Sequence, residues 1–265
     1  MDEPGFGRAS TPDARPPLFR IDGVKLRALP LLIAVLLGFG LPALAQLIIE
    51  VVQHFVALPD RPANPWMEYY YVGTAQLVLT LIAIAVMKGF VKADFGLHAP
   101  RGDSYVASAI FWGLVIGAAM TLIDFAPQIA AHQAPSRPYE LNPLNIAGWL
   151  SYRAGFLGIT DETLFRGLLV TYLAATIPGR VSFLRLQMNA AGVIVALVLA
   201  LPYLGGFVGH PLGIALAAIA CIFVQGVFFA YWFEKSRSLL APVIGHDICY
   251  GIYQMLIFAM AAAWY

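Results

Sequence analysis

Long apolar segments recur along the chain at a length that fits a membrane-spanning helix. Such a helix needs about 20 apolar residues, because the hydrocarbon core is about 30 Å thick and a helix rises about 1.5 Å per residue. Seven segments meet this requirement, with approximate bounds at 28–50, 69–89, 105–129, 145–178, 189–209, 211–233 and 239–263. They are too long for the tilted strands of a membrane barrel. The pattern therefore predicts an all-α, polytopic transmembrane helical bundle of about seven spans.

The overall composition agrees with this class. Hydrophobic residues make up 60% of the 265 positions and charged residues only 12%, whereas soluble domains average about 25% charged residues. This composition excludes a soluble enzyme, a disordered chain and a secreted disulfide scaffold. The net charge of +1 gives no reason to expect a nucleic-acid partner. The bilayer itself is the first partner that the sequence predicts.

The basic residues predict how the bundle is oriented, because cytoplasmic segments are enriched in Lys and Arg. With the N-terminus in the cytoplasm, only Arg61 and Arg137 fall in outside loops. The inside segments then hold Arg8, Arg15, Arg20, Lys25, Arg27, Lys88, Lys92, Arg101, Arg180, Arg185, Lys235 and Arg237. We therefore expect an N-in, C-out protein of a bacterial inner membrane.

The chain divides into a short tail and one membrane domain. Residues 1–27 carry four prolines among charged residues and show no apolar period, which is typical of a mobile cytoplasmic tail. Residues 28–265 form the predicted helical membrane domain.

Ionisable residues inside apolar spans are costly and often functional. The fourth segment contains Asp161, Glu162 and Arg166 near its middle. In a helix, Glu162 and Arg166 share one face at the i,i+4 spacing, whereas Asp161 is turned by about 100°. Arg166 could therefore neutralise Glu162 and leave Asp161 for another partner. The alternative is a salt bridge that only fixes the register of the helix.

Further polar residues lie in the later segments. The seventh segment contains His246 and, one turn later, Tyr250, while His210 falls between the fifth and sixth segments. Two carboxylates and two histidines provide what water activation requires, namely a base and a donor for the developing oxyanion. Each histidine alone could equally be an ordinary core or helix-end residue. Zinc is chemically possible with such ligands, but no helical His-x-x-x-His spacing supports it, so no cofactor is required.

These motifs resemble those of the CPBP family, which contains CAAX prenyl proteases and bacteriocin-processing (Abi) enzymes. The family pattern is Glu-Glu-x-x-x-Arg in one span, Phe-x-x-x-His in the next and His-x-x-x-Asn/Asp in the last. Here the sequence from Asp161 to Arg166 is similar to the first motif, His210 to the second, and His246 with Tyr250 to the third. The resemblance covers about residues 145–253.

The resemblance implies an intramembrane endopeptidase with defined roles. Asp161 and His210 would activate water, Glu162 and Arg166 would pair and shape the site, and His246 would help to hold the oxyanion. The implied substrates are peptides or proteins at the membrane with a lipidated or hydrophobic tail. The active cavity is expected to open to the cytoplasm or to the lipid.

The sequence departs from the family pattern at several positions. Asp161 is one methylene shorter than Glu, Gly206 occupies the Phe position, and Tyr250 occupies the Asn/Asp position. A straight fifth span would also place His210 about 15 Å in depth from the other residues. Either 180–195 lies outside the bilayer, or the chain breaks near Pro202 and folds His210 back.

These departures leave two alternatives to an active protease. One is a catalytically inactive relative that acts as a membrane scaffold, regulator or immunity protein. The other is a transporter that uses the buried charges as an ion relay, although no inverted repeat is visible. The sequence does not predict an oligomeric state.

Overall fold

Five long helices dominate the computed structural model, which describes residues 19–56, 63–137, 139–183, 185–205 and 211–264. Each is long and apolar enough to cross a membrane. They are α1 (Ala28–Phe55), α2 (Trp66–Met87), α3 (Val106–Asp124), α9 (Leu212–Ser236) and α10 (Leu240–Ala263). A short helix, α4 (Ala126–Ala131), follows α3. The predicted all-α, polytopic helical bundle is confirmed, and the protein is an integral membrane protein.

The fourth predicted span is a broken helix. It consists of α5 (Pro143–Arg153), α6 (Leu157–Glu162), a π-helical segment (Thr163–Val170) and α7 (Thr171–Thr176). The π-helical segment lies at the centre of the largest core cluster, where Leu164 and Leu168 are completely buried. Because π-helical turns are rare and concentrate at functional sites, this segment indicates a candidate functional region.

The fifth predicted span is much shorter than expected. Two strands, β2 (Arg180–Phe183) and β3 (Leu186–Asn189), occupy the predicted loop between the fourth and fifth spans. Helix α8 (Ala190–Ala200) begins after them, where the side chain of Asn189 accepts a hydrogen bond from the backbone N–H of Ala191. A 3₁₀ turn at Leu201–Gly205 follows. At about 1.5 Å per residue, α8 alone spans about half of the hydrocarbon core.

A small antiparallel sheet changes the interpretation of the N-terminal tail. The strand β1 (Phe19–Asp22) pairs with β2, which pairs with β3, and Ile21 is the register partner of Val181. The segment Phe19–Asp22, within the predicted tail, therefore forms an edge strand of this sheet, and the mobility of the tail stays a prediction. Residues 1–18 lie outside the described residues.

The predicted cytoplasmic loops meet at one end of the bundle, which we call the basic end. It comprises residues 19–27, 88–105, 177–183, 185–189 and 234–239. The backbone N–H of Lys25 donates to Pro178 O, that of Arg101 to Ser236 O, and Arg180 pairs with Glu234 at 2.8 Å. These contacts place the basic loops on a common side, as the charge bias requires. The direction of that side relative to the cell stays a prediction.

Candidate active site

A buried ion pair forms the centre of the site. Nη1 of Arg166 lies 3.1 Å from Oε1 of Glu162, and their side chains are 1% and 0% exposed. The other guanidinium nitrogen, Nη2, donates to the backbone carbonyl of Gly226 at 3.1 Å. The guanidinium carbon also lies 5.3 Å from the ring centroid of Phe229. The planar fork of Arg166 thus joins the π-helical segment to α9.

His246 extends this pair towards α10. Its Nδ1 lies 2.8 Å from Oε1 of Glu162, and the residue is only 4% exposed. Because a carboxylate can only accept, Nδ1 carries the proton whenever Glu162 is ionised. The second ring nitrogen, Nε2, has no hydrogen-bond partner within the part of the chain that the structure describes. It lies 3.9 Å from Oδ2 of Asp161.

Asp161 faces away from the ion pair, into the space beside α2. Its Oδ1 accepts a hydrogen bond from Nε2 of Gln76 at 3.1 Å, and the carboxylate is 26% exposed. Asp161 and His246 therefore converge from different helices, separated by a distance that a single small molecule or substrate oxygen could bridge. This is the kind of geometry that general acid–base chemistry uses.

Tyr250 packs against the histidine from within α10. The two rings stack with their centroids 4.6 Å apart. The hydroxyl of Tyr250 lies 3.5 Å from that of Tyr203, in the 3₁₀ turn after α8. The residue at the Asn/Asp position of the third motif thus borders the site.

Asp247 supports the site without facing it. Its Oδ1 accepts a 2.9 Å hydrogen bond from the backbone N–H of Gly158, in the first turn of α6. A Cβ atom at Gly158 would lie 2.6 Å from that oxygen, so only glycine allows this approach. The contact fastens the start of α6 to α10 and so positions the two acids that follow.

A cavity of about 300 Å³ adjoins Asp161. It is lined by α1, α2, α5 and α6, with Gln46, Gln76, Tyr152 and Asp161 among its residues. From Asp161 it extends to Glu68 near the start of α2, and thus away from the basic end. In the predicted orientation it serves the outer half of the membrane, whereas the resemblance implied an opening to the cytoplasm or the lipid.

The site lies within the membrane-embedded part of the bundle. His246 is six residues into α10, which corresponds to a depth of about 9 Å from the basic end. Gly226 lies ten residues before the end of α9, at about 15 Å. Both depths fall within a hydrocarbon core of about 30 Å, where polar groups depend on protein partners instead of lipid.

The structure brings together five of the six predicted site residues: Asp161, Glu162, Arg166, His246 and Tyr250. The sixth, His210, lies outside the described residues, as does Gly206, so the proposed role of His210 stays a prediction. The expected depth difference of about 15 Å between His210 and the other site residues assumed a straight fifth span. Helix α8 is too short for that assumption to hold.

Sequence reasoning assigned no role of its own to either of two contributors, Gln76 and Asp247. Gln76 is a single amide in an apolar helix, and this isolated polarity was the only available signal. The role of Asp247 could not be separated from that of His246, because both belong to one polar pair in the sequence.

Comparison with known proteins supports the class of protein that this site defines. Residues 143–252 match the family model described as type II CAAX prenyl endopeptidase Rce1-like. This match confirms the resemblance found from the motifs, and it includes every predicted site residue. At the level of the family, it supports a CAAX-type intramembrane protease, a hydrolase. No curated protein and no solved structure matches the chain.

A metal centre finds no support in the arrangement of side chains. Within the described ranges, no group of three or more His, Cys, Asp and Glu residues could hold an ion. The arrangement instead offers one carboxylate and one histidine nitrogen facing each other beside a cavity.

Proposed function

We propose that this protein is an intramembrane endopeptidase that hydrolyses peptide bonds in membrane-associated substrates with a hydrophobic tail. The observation that carries the proposal is the approach of Asp161 and Nε2 of His246 to 3.9 Å at the end of a cavity, beside a buried Glu162–Arg166 pair. The family match over the same residues supports the reaction class.

In the proposed reaction, Asp161 accepts a proton from water while the water oxygen attacks the carbonyl carbon of the scissile bond. The charged form of His246 donates from Nε2 to the resulting oxyanion. When the tetrahedral intermediate collapses, the C–N bond breaks and the proton passes to the amine nitrogen. One water is consumed, and a carboxylic acid and an amine are released, which together form a carboxylate and an ammonium group.

The neighbouring residues hold these two groups in place. Glu162 fixes the ring of His246 through Nδ1, and Arg166 balances the charge of Glu162 in a region without solvent. The resemblance adds His210 as a partner of Asp161 in water activation. Because Asp161 is shorter than Glu, its position matters, and an error near 1 Å can cost about 100-fold in rate.

Gln76 is the proposed positioning residue for Asp161. Replacing it with Leu removes the 3.1 Å hydrogen bond to the carboxylate. We expect kcat to fall by about tenfold with a changed pH profile of kcat, since hydrogen bonds to charged groups are worth about 1.5–3 kcal/mol. A variant that loses stability but keeps the wild-type pH profile would assign Gln76 a packing role only.

Turnover of a quenched fluorescent peptide with a hydrophobic C-terminal tail tests the proposal. The full chain is purified and reconstituted in nanodiscs, with Asp161→Asn, His210→Ala and His246→Ala as variants. We expect each variant to lose at least about 100-fold in kcat, the lower range for general acid–base groups. Asp103→Asn is the matched control, because it removes the same charge from an exposed loop.

Two results would contradict the proposal. Equal turnover in all three variants and the control would show that the activity arises elsewhere. Absence of turnover for the folded wild type across lipidated and unlipidated peptides would favour the alternative of a catalytically inactive scaffold, regulator or immunity protein.

The place of action is part of the same proposal. The concentration of basic loops at one end supports the N-in, C-out orientation in a bacterial inner membrane. Cysteine accessibility at an exposed basic-end position, such as Lys235→Cys, would test it. Labelling of this cysteine from outside intact cells by a membrane-impermeant reagent would contradict the predicted orientation and indicate the opposite one.

A further inference from the structure

A second cleft lies at the basic end, on the far side of the π-helical segment from the Asp161 cavity. Its volume is about 370 Å³. It opens between the loop after α2, helix α7 and the end of α9. These helix ends mark the level at which lipid headgroups meet the hydrocarbon core.

The charged residues of this cleft leave a positive balance. Of its two acids, Asp94 pairs with Arg101 at 3.3 Å and contacts His98 at 2.7 Å, and Glu234 pairs with Arg180 at 2.8 Å. Its two cations, Lys92 and Arg237, form no ion pair with any residue that the structure describes. An anion in the cleft would therefore meet two available cations, while both carboxylates are already compensated.

Arg237 occupies the C-cap position of α9, beside the cleft. Arg237 follows the last residue of α9 with φ of 52°, in the left-handed region. Glycine is the usual residue at such a helix end, because other L-residues are strained there. A cation at this helix end interacts favourably with the helix dipole, and the exposed side chain of Arg237 remains accessible to an anion in the cleft.

The floor of the cleft is apolar. Val170, Ala174, Ala175 and Phe233 line it below the charged rim. A small soluble anion would gain nothing from this surface, whereas the first methylenes of an acyl chain would be removed from water there.

We propose that this cleft binds an anionic phospholipid, with its phosphate between Lys92 and Arg237 and the start of an acyl chain on the apolar floor. Basic pockets between membrane helices bind anionic headgroups on the same physical grounds. The proposal concerns a site separate from the proposed peptidase site and does not depend on peptidase activity.

Displacement of a fluorescent short-chain phosphatidylglycerol tests the proposal. The full chain in neutral maltoside micelles binds the probe, which is followed by anisotropy. Unlabelled dihexanoyl phosphatidylglycerol, dihexanoyl phosphatidylcholine and inorganic phosphate then compete. We expect phosphatidylglycerol to compete at least about tenfold better than the other two. Equal competition by phosphate would show that the cleft binds a simple anion instead of a lipid. Equal competition by phosphatidylcholine would show that the negative charge of the lipid does not contribute to binding.

Substitutions of the basic residues measure the contribution of charge to lipid binding apart from that of the apolar floor. The double variant K92Q/R237Q should bind phosphatidylglycerol about 30-fold more weakly, from the usual contribution of two cations near an anionic surface. The control K88Q/K235Q removes the same charge from the same end outside the cleft and should change affinity by less than about twofold. Wild-type affinity of K92Q/R237Q, or equal loss in the control, would overturn the proposal.

Ala175→Trp tests whether an acyl chain binds on the apolar floor of the cleft, and it does so without changing the charge. Ala175 is exposed on α7, so the indole can occupy the cleft without entering the core. We expect about tenfold weaker binding of phosphatidylglycerol, from loss of part of the buried acyl area. Unchanged binding would show that the chain does not enter the cleft.

Discussion

Breaking the buried Glu162–Arg166 pair should be among the most damaging single changes to this protein. Arg166→Met keeps the approximate length of the side chain but removes the contact with Glu162 and the hydrogen bond to Gly226, both 3.1 Å long. Glu162 is then left completely buried with His246 as its remaining partner. Removing one partner of a buried pair costs about 3–5 kcal/mol, chiefly because the other charge stays desolvated.

The double variant distinguishes this reasoning from a loss of packing. In E162Q/R166M both charges are absent, so the unpaired charge no longer contributes, and the total loss should be smaller than the sum of the two single losses by about 2 kcal/mol. Equilibrium unfolding in mixed micelles with increasing dodecyl sulfate measures all four proteins. A loss below about 1 kcal/mol for Arg166→Met, or strictly additive losses, would refute the argument.

Three further changes test other parts of the structure. Gly158→Ala places a Cβ atom 2.6 Å from Oδ1 of Asp247, so we expect a loss of about 1–3 kcal/mol in the same unfolding assay; no loss would mean that α6 can move away freely. Tyr250→Phe should lower kcat by about tenfold or more if its hydroxyl donates in the transition state, and unchanged peptide turnover would limit Tyr250 to stacking on the ring beside it. Burial raises the pKa of Asp94, but hydrogen bonds from His98 and a backbone N–H outweigh burial and place that pKa below its ordinary 3.8; a backbone carbonyl and Asp94 raise the pKa of His98 above its ordinary 6.5. The contribution of Asp94 to the stability of this loop is complete above pH 3.8 and is lost as the pH falls, whereas that of His98 is complete below pH 6.5 and is lost as the pH rises. We therefore expect hydrogen-exchange protection of the loop to be highest between these two values. The same pH profile in an Asp94→Asn variant would contradict the assignment.

The parts of the site that could be predicted are those set by local geometry. Glu162 and Arg166 are one helical turn apart, so their pairing follows from the i,i+4 spacing whatever the rest of the fold does. The contact between Gln76 and Asp161 joins residues 85 positions apart. No spacing rule relates such positions, because their distance depends on how α2 packs against α6.

By itself, the sequence determined that this protein is a membrane-embedded helical bundle, because the transfer of apolar side chains out of water depends on composition and segment length alone. It also indicated where the costly charges lie. The tertiary structure decided that the fourth span is broken, that Arg180–Phe183 pairs as a strand with Phe19–Asp22, and that Asp161 and His246 face each other. Hydropathy cannot specify these features, since helix, strand and turn can be equally apolar, and the choice rests on hydrogen bonds and packing between segments far apart in the chain.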